Sequence, residues 1–238
     1  MILFRSILFA LLAVLVTTVY GVVVIPVSII SHKMGYECAR SWGLQIVRLA
    51  KYVCGIRYDI RGLESLPTTP SIVMAKHQSA WETVSMLAFL PRASWIIKRE
   101  LVFVPVVGWS LAALKSIAID RKSGKNARDQ ILEQGKAFLA AGQWINIYPE
   151  GTRVAPGKRG RYGIGGAWLA ANTGTPIVPI AHNAGELWRR NAFMKQPGTV
   201  TMIIGAALAT KDKTAATVIK EVEEWIENEM AKLPPATR

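Results

Sequence analysis

Acidic residues and cysteines are scarce in this 238-residue sequence, and each scarcity excludes a class of site. Aspartate and glutamate number 16 against 29 lysines and arginines, for a formal net charge of +13 at pH 7. No cluster of carboxylates stands out that would bind a metal ion. The cysteines, Cys38 and Cys54, and the histidines, His32, His77 and His182, lack zinc-ligand spacing. We therefore expect no metal or resident cofactor, and reduced cysteines that serve packing.

Several catalytic and nucleic-acid signatures are also missing. The sequence has no G-x-S-x-G nucleophile elbow and no phosphate-binding P-loop. It has no zinc-finger, RNP or helix-turn-helix pattern, so only its charge favours a nucleic acid partner. Hydrophobic residues make up 51% of the chain. A chain that is both basic and apolar is better suited to an anionic membrane surface, and we expect no nucleic acid partner.

The N-terminus holds a long uncharged segment. Residues 6–31 carry no charged side chain and are mostly Leu, Val, Ile and Ala. About 20 apolar residues suffice for a helix to cross a bilayer. The run is too long for a signal peptide and no A-x-A cleavage site follows, so we expect an uncleaved membrane anchor. Gly21 and Pro26 would allow a kink, which leaves crossing and re-entry both open.

A second helix is predicted from His32 to Gly55. Its apolar residues recur at helical spacing, and Gly55 is suited to end it. Basic residues follow the apolar run, which by the positive-inside rule places the rest of the protein on the cytoplasmic face of the cell membrane. They are Lys33, Arg40, Arg48 and Lys51. Residues 1–55 thus predict a membrane-anchoring helical hairpin; alternatively, the second helix simply packs on the following domain.

From residue 56 short apolar strands alternate with helices, the pattern of an α/β domain. Strands are predicted at 57–60, 71–75, 94–97, 115–119, 144–148, 177–180 and 200–204. Helices are predicted from 80 to 90 and at 126–141, 166–173 and 214–233. This makes residues 56–238 one catalytic or binding domain after the anchor.

His77 and Glu82 follow the second predicted strand, where α/β folds place their chemistry. On a regular helix, residues five apart point about 140° away from each other. Ser79 and Glu82, however, match a capping box, which predicts that the helix begins after Ser79 and leaves His77 in the loop. The carboxylate can then orient the imidazole as a general base. The alternative is that Glu82 merely caps the helix and His77 is an ordinary loop residue.

Residues 148–153, with the sequence Tyr-Pro-Glu-Gly-Thr-Arg, follow another predicted strand. Gly151 would let the backbone come close to a ligand, and Arg153 has the geometry to bind phosphate. Arg121 also ends a strand. The alternatives are a turn with a solvated Arg153, and a surface salt bridge between Arg121 and Asp120.

Together and in this order, these stretches resemble the 1-acylglycerol-3-phosphate O-acyltransferases of the glycerolipid acyltransferase superfamily. The resemblance covers about residues 56–204. The family's His-x4-Asp motif is met by His77 and Glu82, with glutamate for aspartate. Its Gly-x-x-Phe-x-x-Arg motif keeps only Arg121. The Phe-Pro-Glu-Gly-Thr-Arg motif matches with Tyr148 for phenylalanine, and the apolar-Pro-apolar step is Val178-Pro179-Ile180.

The resemblance implies a glycerolipid-acyltransferase-like α/β domain with a central, mostly parallel sheet flanked by helices, after a two-helix membrane anchor. It implies acyl transfer from acyl-CoA or acyl carrier protein to the sn-2 hydroxyl of 1-acylglycerol-3-phosphate, which makes phosphatidic acid. His77 would act as the base and Glu82 would orient it. The implied substrate-binding residues are Lys98, Arg121, Glu150, Gly151, Thr152 and Arg153.

Other readings stay open. The acceptor could be a different lysolipid, such as a lyso-ornithine lipid or a lysophospholipid with a larger headgroup. The protein could also be a lipid-binding protein that no longer catalyses transfer. In each case the expected partners are membrane lipids, including lysophosphatidic acid and anionic phospholipids, with the thioester as co-substrate for an enzyme.

Overall fold

The computed structural model describes residues 1–120 and 123–236 and contains a seven-stranded sheet. The strand order is β1-β7-β6-β2-β5-β3-β4, with β6 and β7 antiparallel and the other neighbours parallel. The predicted mostly parallel sheet is confirmed. The strands are β1 Ile56–Arg61, β2 Ile72–Ala75, β3 Ala93–Lys98, β4 Ile117–Ile119, β5 Trp144–Ile147, β6 Ile177–His182 and β7 Gly198–Ile204.

Helices cover both faces of the sheet. They are α1 Ile2–Ile30, α2 His32–Cys54, α3 Trp81–Phe89, α4 Val107–Ala113, α5 Lys125–Ala140, α6 Gly165–Thr173, α7 Ala184–Leu187 and α8 Ala215–Lys232. One core cluster joins the sheet to α1, α2 and α3, and a second joins it to α5, α6 and α8. The central strands β2, β5 and β6 are buried throughout, as expected for a parallel sheet covered on both faces.

The sheet brings the predicted motifs to one edge. Strands β2, β3, β5 and β6 run in the same direction, so their carboxyl ends lie together. His77 follows β2, Lys98 ends β3, the 148–153 stretch follows β5, and His182 ends β6. This is where open α/β sheets bind ligands.

Only α1 has the length and apolar composition of a membrane span among the described residues. Helix α2 lacks that apolar composition because it carries several charged side chains, and its apolar face is buried on the domain. Tyr36, Ile46 and Val47 belong to the core cluster, and Arg40 donates a 2.6 Å hydrogen bond from Nη2 to the Leu90 carbonyl. The predicted two-helix anchor is therefore corrected to one candidate span plus a helix that packs on the sheet. The domain boundary at residue 55 stays a prediction.

Helix α1 contacts the domain along its length. The Lys195 amide donates to Ser6 Oγ at 2.9 Å, and the Phe9 ring lies edge-on to Trp188 at 5.1 Å. Further along, Gly21 approaches so closely that a β-carbon there would collide with the Val106 side chain. Removing α1 would therefore expose part of the core as well as detach the anchor.

The segment between β3 and β4 holds structure that periodicity did not predict. A 3₁₀ helix spans Arg99–Phe103 and α4 follows it. Between them Val106 has φ 64 and ψ −62, and the Val107 amide donates to the Pro105 carbonyl at 2.7 Å. This is the strained γ-turn of positive φ, rare for a β-branched residue. Strand β4 begins at Ile117, two residues later than predicted, because Lys115 also has positive φ.

Candidate active site

The imidazole of His77 and the carboxylate of Glu82 are in hydrogen-bond contact. His77 Nδ1 lies 2.8 Å from Glu82 Oε1. Glu82 is fully buried in the first turn of α3, whereas His77 lies in the preceding loop with 14% of its side chain exposed. The predicted loop-and-helix placement of the two residues is what allows them to meet.

Glu82 caps the helix and orients the histidine at once. Its Oε1 also accepts the amides of Gln78 at 3.1 Å and Ser79 at 2.9 Å, while Ser79 Oγ accepts the Trp81 amide at 3.0 Å. The capping interaction and the dyad were alternatives at the level of sequence. The structure combines them, so the helix cap fixes the carboxylate in position for His77.

The protonation of the pair follows from its contacts. Burial alone raises the pKa of Glu82, but the His182 and His77 imidazoles and the Ser79 amide lower it below its usual range. An ionised carboxylate can only accept, so the His77 proton lies on Nδ1 and the lone pair on Nε2. A neutral imidazole in this tautomer is the form that accepts a proton as a general base.

The ring and backbone of His77 are held by the 148–153 stretch and its neighbour. The Tyr148 ring stacks on the imidazole with centroids 3.8 Å apart and an interplanar angle of 11°. The His77 amide donates to Glu150 Oε2 at 3.0 Å, and the His77 carbonyl accepts from the Val154 amide at 2.8 Å. The two motifs therefore form one rigid unit around the base.

A buried lysine lies directly behind His77. Lys76 Nζ donates to Glu150 Oε1 at 2.8 Å, to Glu227 Oε1 at 2.7 Å and to the Lys158 carbonyl at 3.3 Å. Only 1% of the Lys76 side chain is exposed. Glu227 belongs to α8 and also accepts the Tyr162 hydroxyl at 2.8 Å. We call Lys76, Glu150 and Glu227 the lysine network; it connects the C-terminal helix to the loop of the base.

The Glu150 carboxylate is part of the support of the His77 loop. It points inward and is used by Lys76, the His77 amide and the Gly160 amide. A buried carboxylate with these partners positions the His77 loop, and its predicted contact with substrate stays untested. Gly151 has φ 66, a conformation that favours glycine, and it forms the turn of the motif.

Arg153 and Thr152 lie at the open side of the motif. Arg153 lines the same cavity as His77 and donates from Nε to the Ser79 carbonyl at 2.8 Å. Its terminal nitrogens make no hydrogen bond or ion pair to the described part of the chain. Arg190 Nη1 donates to Thr152 Oγ1 at 3.2 Å and to the Arg153 carbonyl at 2.9 Å, which anchors this loop.

Lys98 is brought to the same cavity from the end of β3. Half of its side chain is exposed, and its Nζ lies 3.2 Å from Glu100 Oε1. Arg121 lies outside the described residues. Within residues 1–120 and 123–236 no group of three or more His, Cys, Asp and Glu residues could hold a metal ion.

An apolar cavity of about 340 Å³ extends from His77. Residues of α1, α2, α3, β3 and α4 line it, and its walls are mostly hydrophobic. They include Tyr20, Val24, Trp42, Leu87, Trp95 and Leu111. The base therefore stands where a polar cluster of Lys98, Arg153 and His77 meets a hydrophobic chamber. Such an arrangement fits a ligand with one charged end and one aliphatic end.

His182 is a buried residue next to the dyad to which the sequence gave no role. Its Nε2 donates to the Lys76 carbonyl at 2.8 Å, its Nδ1 accepts the Ala184 amide at 3.3 Å, and Nε2 lies 4.0 Å from Glu82 Oε2. Burial lowers the pKa of His182, and it outweighs the neighbouring Glu82 carboxylate, which acts to raise that pKa. The only sequence signal was a histidine two residues after a predicted strand.

The buried neutral state of His182 predicts how stability depends on pH. An unfolded histidine gains a proton below a pKa near 6.5, whereas folded His182 resists protonation, so this contribution to stability is complete above that pH and is lost as the pH falls. We expect the stability advantage of the wild type over His182→Gln to shrink by roughly 1 kcal/mol between pH 6.5 and 5, from the linkage slope of about 1.4 kcal/mol per pH unit. Unfolding in detergent micelles at a series of pH values measures it, and parallel curves for the two proteins would contradict it.

Sequence comparisons link the chain to known acyltransferases. Residues 57–183 match the family model described as Acyltransferase. The chain is 39% identical over 236 residues to the 1-acyl-sn-glycerol-3-phosphate acyltransferase of Pseudomonas aeruginosa, which covers 97% of this chain and 92% of that protein. It is 30% identical over 175 residues to human 1-acyl-sn-glycerol-3-phosphate acyltransferase beta, over 72% of this chain and 63% of that protein.

A solved structure has the same fold. The crystal structure of the 1-acyl-sn-glycerophosphate acyltransferase from Thermotoga maritima superimposes with a TM-score of 0.82, covering 97% of this chain and 95% of that one. The two sequences are 22% identical. The match extends the similarity in fold to nearly the whole chain.

Proposed function

Because the chain belongs to the 1-acylglycerol-3-phosphate acyltransferase family, we propose that it transfers a fatty acyl group from a thioester to the sn-2 hydroxyl of 1-acyl-sn-glycerol-3-phosphate, which yields phosphatidic acid. The observation that carries this proposal is the His77–Glu82 pair at the point where the apolar cavity meets Lys98 and Arg153. A base, an anion-binding group and space for an alkyl chain are the three elements that this reaction requires.

The chemistry follows from the tautomer of His77. Its Nε2 takes the proton of the acceptor hydroxyl as the hydroxyl oxygen attacks the thioester carbonyl. Glu82 stabilises the imidazolium that forms, as the carboxylate of a catalytic triad does. Collapse of the tetrahedral intermediate breaks the carbon–sulfur bond, and the imidazolium returns its proton to the departing thiolate. The acceptor is itself the nucleophile, so no acyl-enzyme is needed.

Arg153 is proposed to bind the acceptor phosphate together with Lys98 and Arg121. We expect Arg153→Gln to raise the KM for 1-acylglycerol-3-phosphate about tenfold or more, since a hydrogen bond to a charged group contributes about 1.5–3 kcal/mol. Reaction rates with a phosphate-free monoacylglycerol, however slow, should change little. Steady-state kinetics with both acceptors test the assignment, and an equal loss on both would point to general damage of the loop. Lys136→Gln, which removes an exposed charge on α5 outside the cavity lining, is the matched control.

The apolar cavity supports a lipid substrate. Its volume of about 340 Å³ and hydrophobic lining suit an aliphatic chain, which gains free energy by leaving water. Lysolipids with other headgroups remain the alternative acceptors, and a phosphate-free headgroup would leave Arg153 without a charged partner. Acyl-CoA and acyl carrier protein are both candidate donors.

We propose that α1 docks in one leaflet, with the catalytic domain on the cytoplasmic face. The contacts of Ser6 and Gly21 with the domain are separated by about 22 Å of helix, at 1.5 Å per residue. A helix crossing the bilayer would pull the Lys195 and Val106 segments to different depths of the hydrocarbon. A helix lying near the surface leaves both at the interface.

The decisive experiment is an assay of purified protein in mixed lipid vesicles. It contains 1-acylglycerol-3-phosphate and either a long-chain acyl-CoA or an acyl carrier protein thioester, and mass spectrometry follows phosphatidic acid. We expect product with at least one donor. If neither donor gave product with 1-acylglycerol-3-phosphate but another lysolipid was acylated, that lysolipid would be the acceptor. Vesicle binding without any transfer would favour a non-catalytic lipid-binding protein.

A further inference from the structure

The segment from Leu101 to Trp109, between β3 and the middle of α4, carries a dense group of exposed apolar side chains. The exposed fractions are 44% for Leu101, 75% for Phe103, 43% for Val104, 44% for Val107 and 53% for Trp109. Isolated exposed hydrophobic residues are common, but five within nine residues form a patch of the kind that marks an interaction site. Phe103 and Trp109 do not line the cavity, and both are exposed, so neither the cavity nor the core of the described chain explains them.

This patch continues the apolar surface of α1. Val106 and Ser110 lie directly against Gly21, and the His32 ring is 3.1 Å from the Leu114 carbonyl, which fixes the end of α4 at the corner between α1 and α2. Val22, beside Gly21, is itself 65% exposed. Any surface that covers the apolar side of α1 at this point therefore reaches the segment as well.

The charges around the patch favour an anionic surface. Lys98, Arg99 and Lys115 flank the segment and are exposed. Glu100 lies 3.2 Å from Lys98 and Asp120 lies 3.4 Å from Arg99, so three cations face two acids and the balance stays positive. Exposed aromatic residues beside basic side chains are typical of the boundary between lipid headgroups and acyl chains. A partner protein would not need this combination, whereas a leaflet containing anionic phospholipid matches both the apolar and the basic part.

The segment is also a wall of the cavity. Leu101, Val106 and Val107 line the chamber, while Phe103 and Trp109 face away from it. We propose that residues 101–109 are a second membrane contact, whose apolar side chains enter the outer part of an anionic phospholipid leaflet beside α1. The cavity is then separated from the lipid by this segment and by α1, and an acyl chain passes between bilayer and cavity along the segment.

The test measures the depth of one side chain in the membrane. A thiol-reactive, environment-sensitive fluorophore is attached to Phe103→Cys in the full chain, in a Cys38→Ala background, because Cys54 is buried. The protein is reconstituted in vesicles of phosphatidylglycerol and phosphatidylcholine. We expect a blue shift on reconstitution and strong quenching by lipids brominated near the upper acyl chain, about 5–10 Å below the headgroups.

The matched control is the same label at Leu63→Cys. Leu63 is 37% exposed and follows β1, which ends at the opposite side of the sheet from His77, since β1 and β7 run against β6. The label there should stay in water and show little quenching by brominated lipid. Equal quenching at the two positions, or none at 103, overturns the proposal. A blue shift at 103 that depends on protein concentration and ignores brominated lipid would assign the patch to a second copy of the chain.

The proposed role of this contact in substrate transfer rests on the proposed activity. A kinetic experiment distinguishes a failure of one from a failure of the other. Phe103→Ser combined with Trp109→Ser should raise the apparent KM for acceptor in bilayers at least about tenfold, since burial of each of the two aromatic side chains is equivalent to about one power of ten. Its kcat on a short-chain acceptor below its micelle concentration should equal that of the wild type. An unchanged bilayer KM contradicts the membrane contact. If the wild type showed no transfer at all, the proposed activity would fail while the fluorescence result stood independently.

Discussion

Replacing His77 by alanine is expected to lower kcat by about 10²–10⁴, the usual contribution of a general base. The protein should remain folded, because the ring is partly exposed and its loop is held by backbone contacts to Glu150 and Val154. Single-turnover acyl transfer and thermal unfolding, measured on the same preparation, test both parts. Near-normal turnover in a folded His77→Ala protein would exclude the mechanism.

The carboxylate should act through the same step. Glu82→Gln keeps the shape but allows the wrong histidine tautomer, so we expect a loss of up to about 10⁴, and little further loss when it is combined with His77→Ala. Glu82→Asp is the sharper variant, because it restores the aspartate more usual at this position of the motif. The shorter side chain ends about 1.5 Å further from Nδ1, one carbon–carbon bond. Since the 2.8 Å contact is set by the helix cap, this variant should also be slow.

Tyr148→Phe, which preserves the stacked ring, should be nearly neutral.

The strands and the contact between His77 and Glu82 could be predicted from the sequence because their signals are local. The buried strands are short apolar runs, and the capping box fixes where α3 begins to within one residue of the observed start. Both signals are local in the chain. The position of the motifs at one edge then follows from parallel strands alone.

Features that depend on distant partners were not predictable in the same way. An apolar helix face has the same sequence pattern whether it contacts lipid or a sheet. Periodicity therefore could not decide whether α2 lies in the membrane or packs on the domain. The inward orientation of Glu150 depends on Lys76, which neighbours a site residue in sequence but carries no motif of its own. Glu227, 151 residues from Lys76, gives no local signal at all. The segment at 101–109 gave no periodic pattern, and nothing local in its sequence indicates the positive φ of Val106.

Replacing Lys76 by methionine is expected to have the largest effect on stability, about 3–5 kcal/mol, because breaking a buried ion pair leaves uncompensated charge. Glu150 and Glu227 would then face each other without the amine between them, and the Glu150 side chain is fully buried. Because Glu150 also accepts the His77 amide, the same change should slow acyl transfer. Equilibrium unfolding in detergent with parallel kinetics measures both effects.

The coupling within the network can be isolated by a double-mutant cycle. Glu150→Gln alone should cost less than Lys76→Met, since Lys76 retains Glu227, which is 19% exposed and can reach solvent. Adding Glu150→Gln to Lys76→Met removes one of the two unpaired charges while the amide oxygen can still accept from His77, so the double variant should be more stable than Lys76→Met itself. Strict additivity would mean that Lys76 acts by packing alone. Recovered stability with recovered kcat, by contrast, would show that the charge balance behind His77 holds the base in place and that α8, through Glu227, is part of the active site's support.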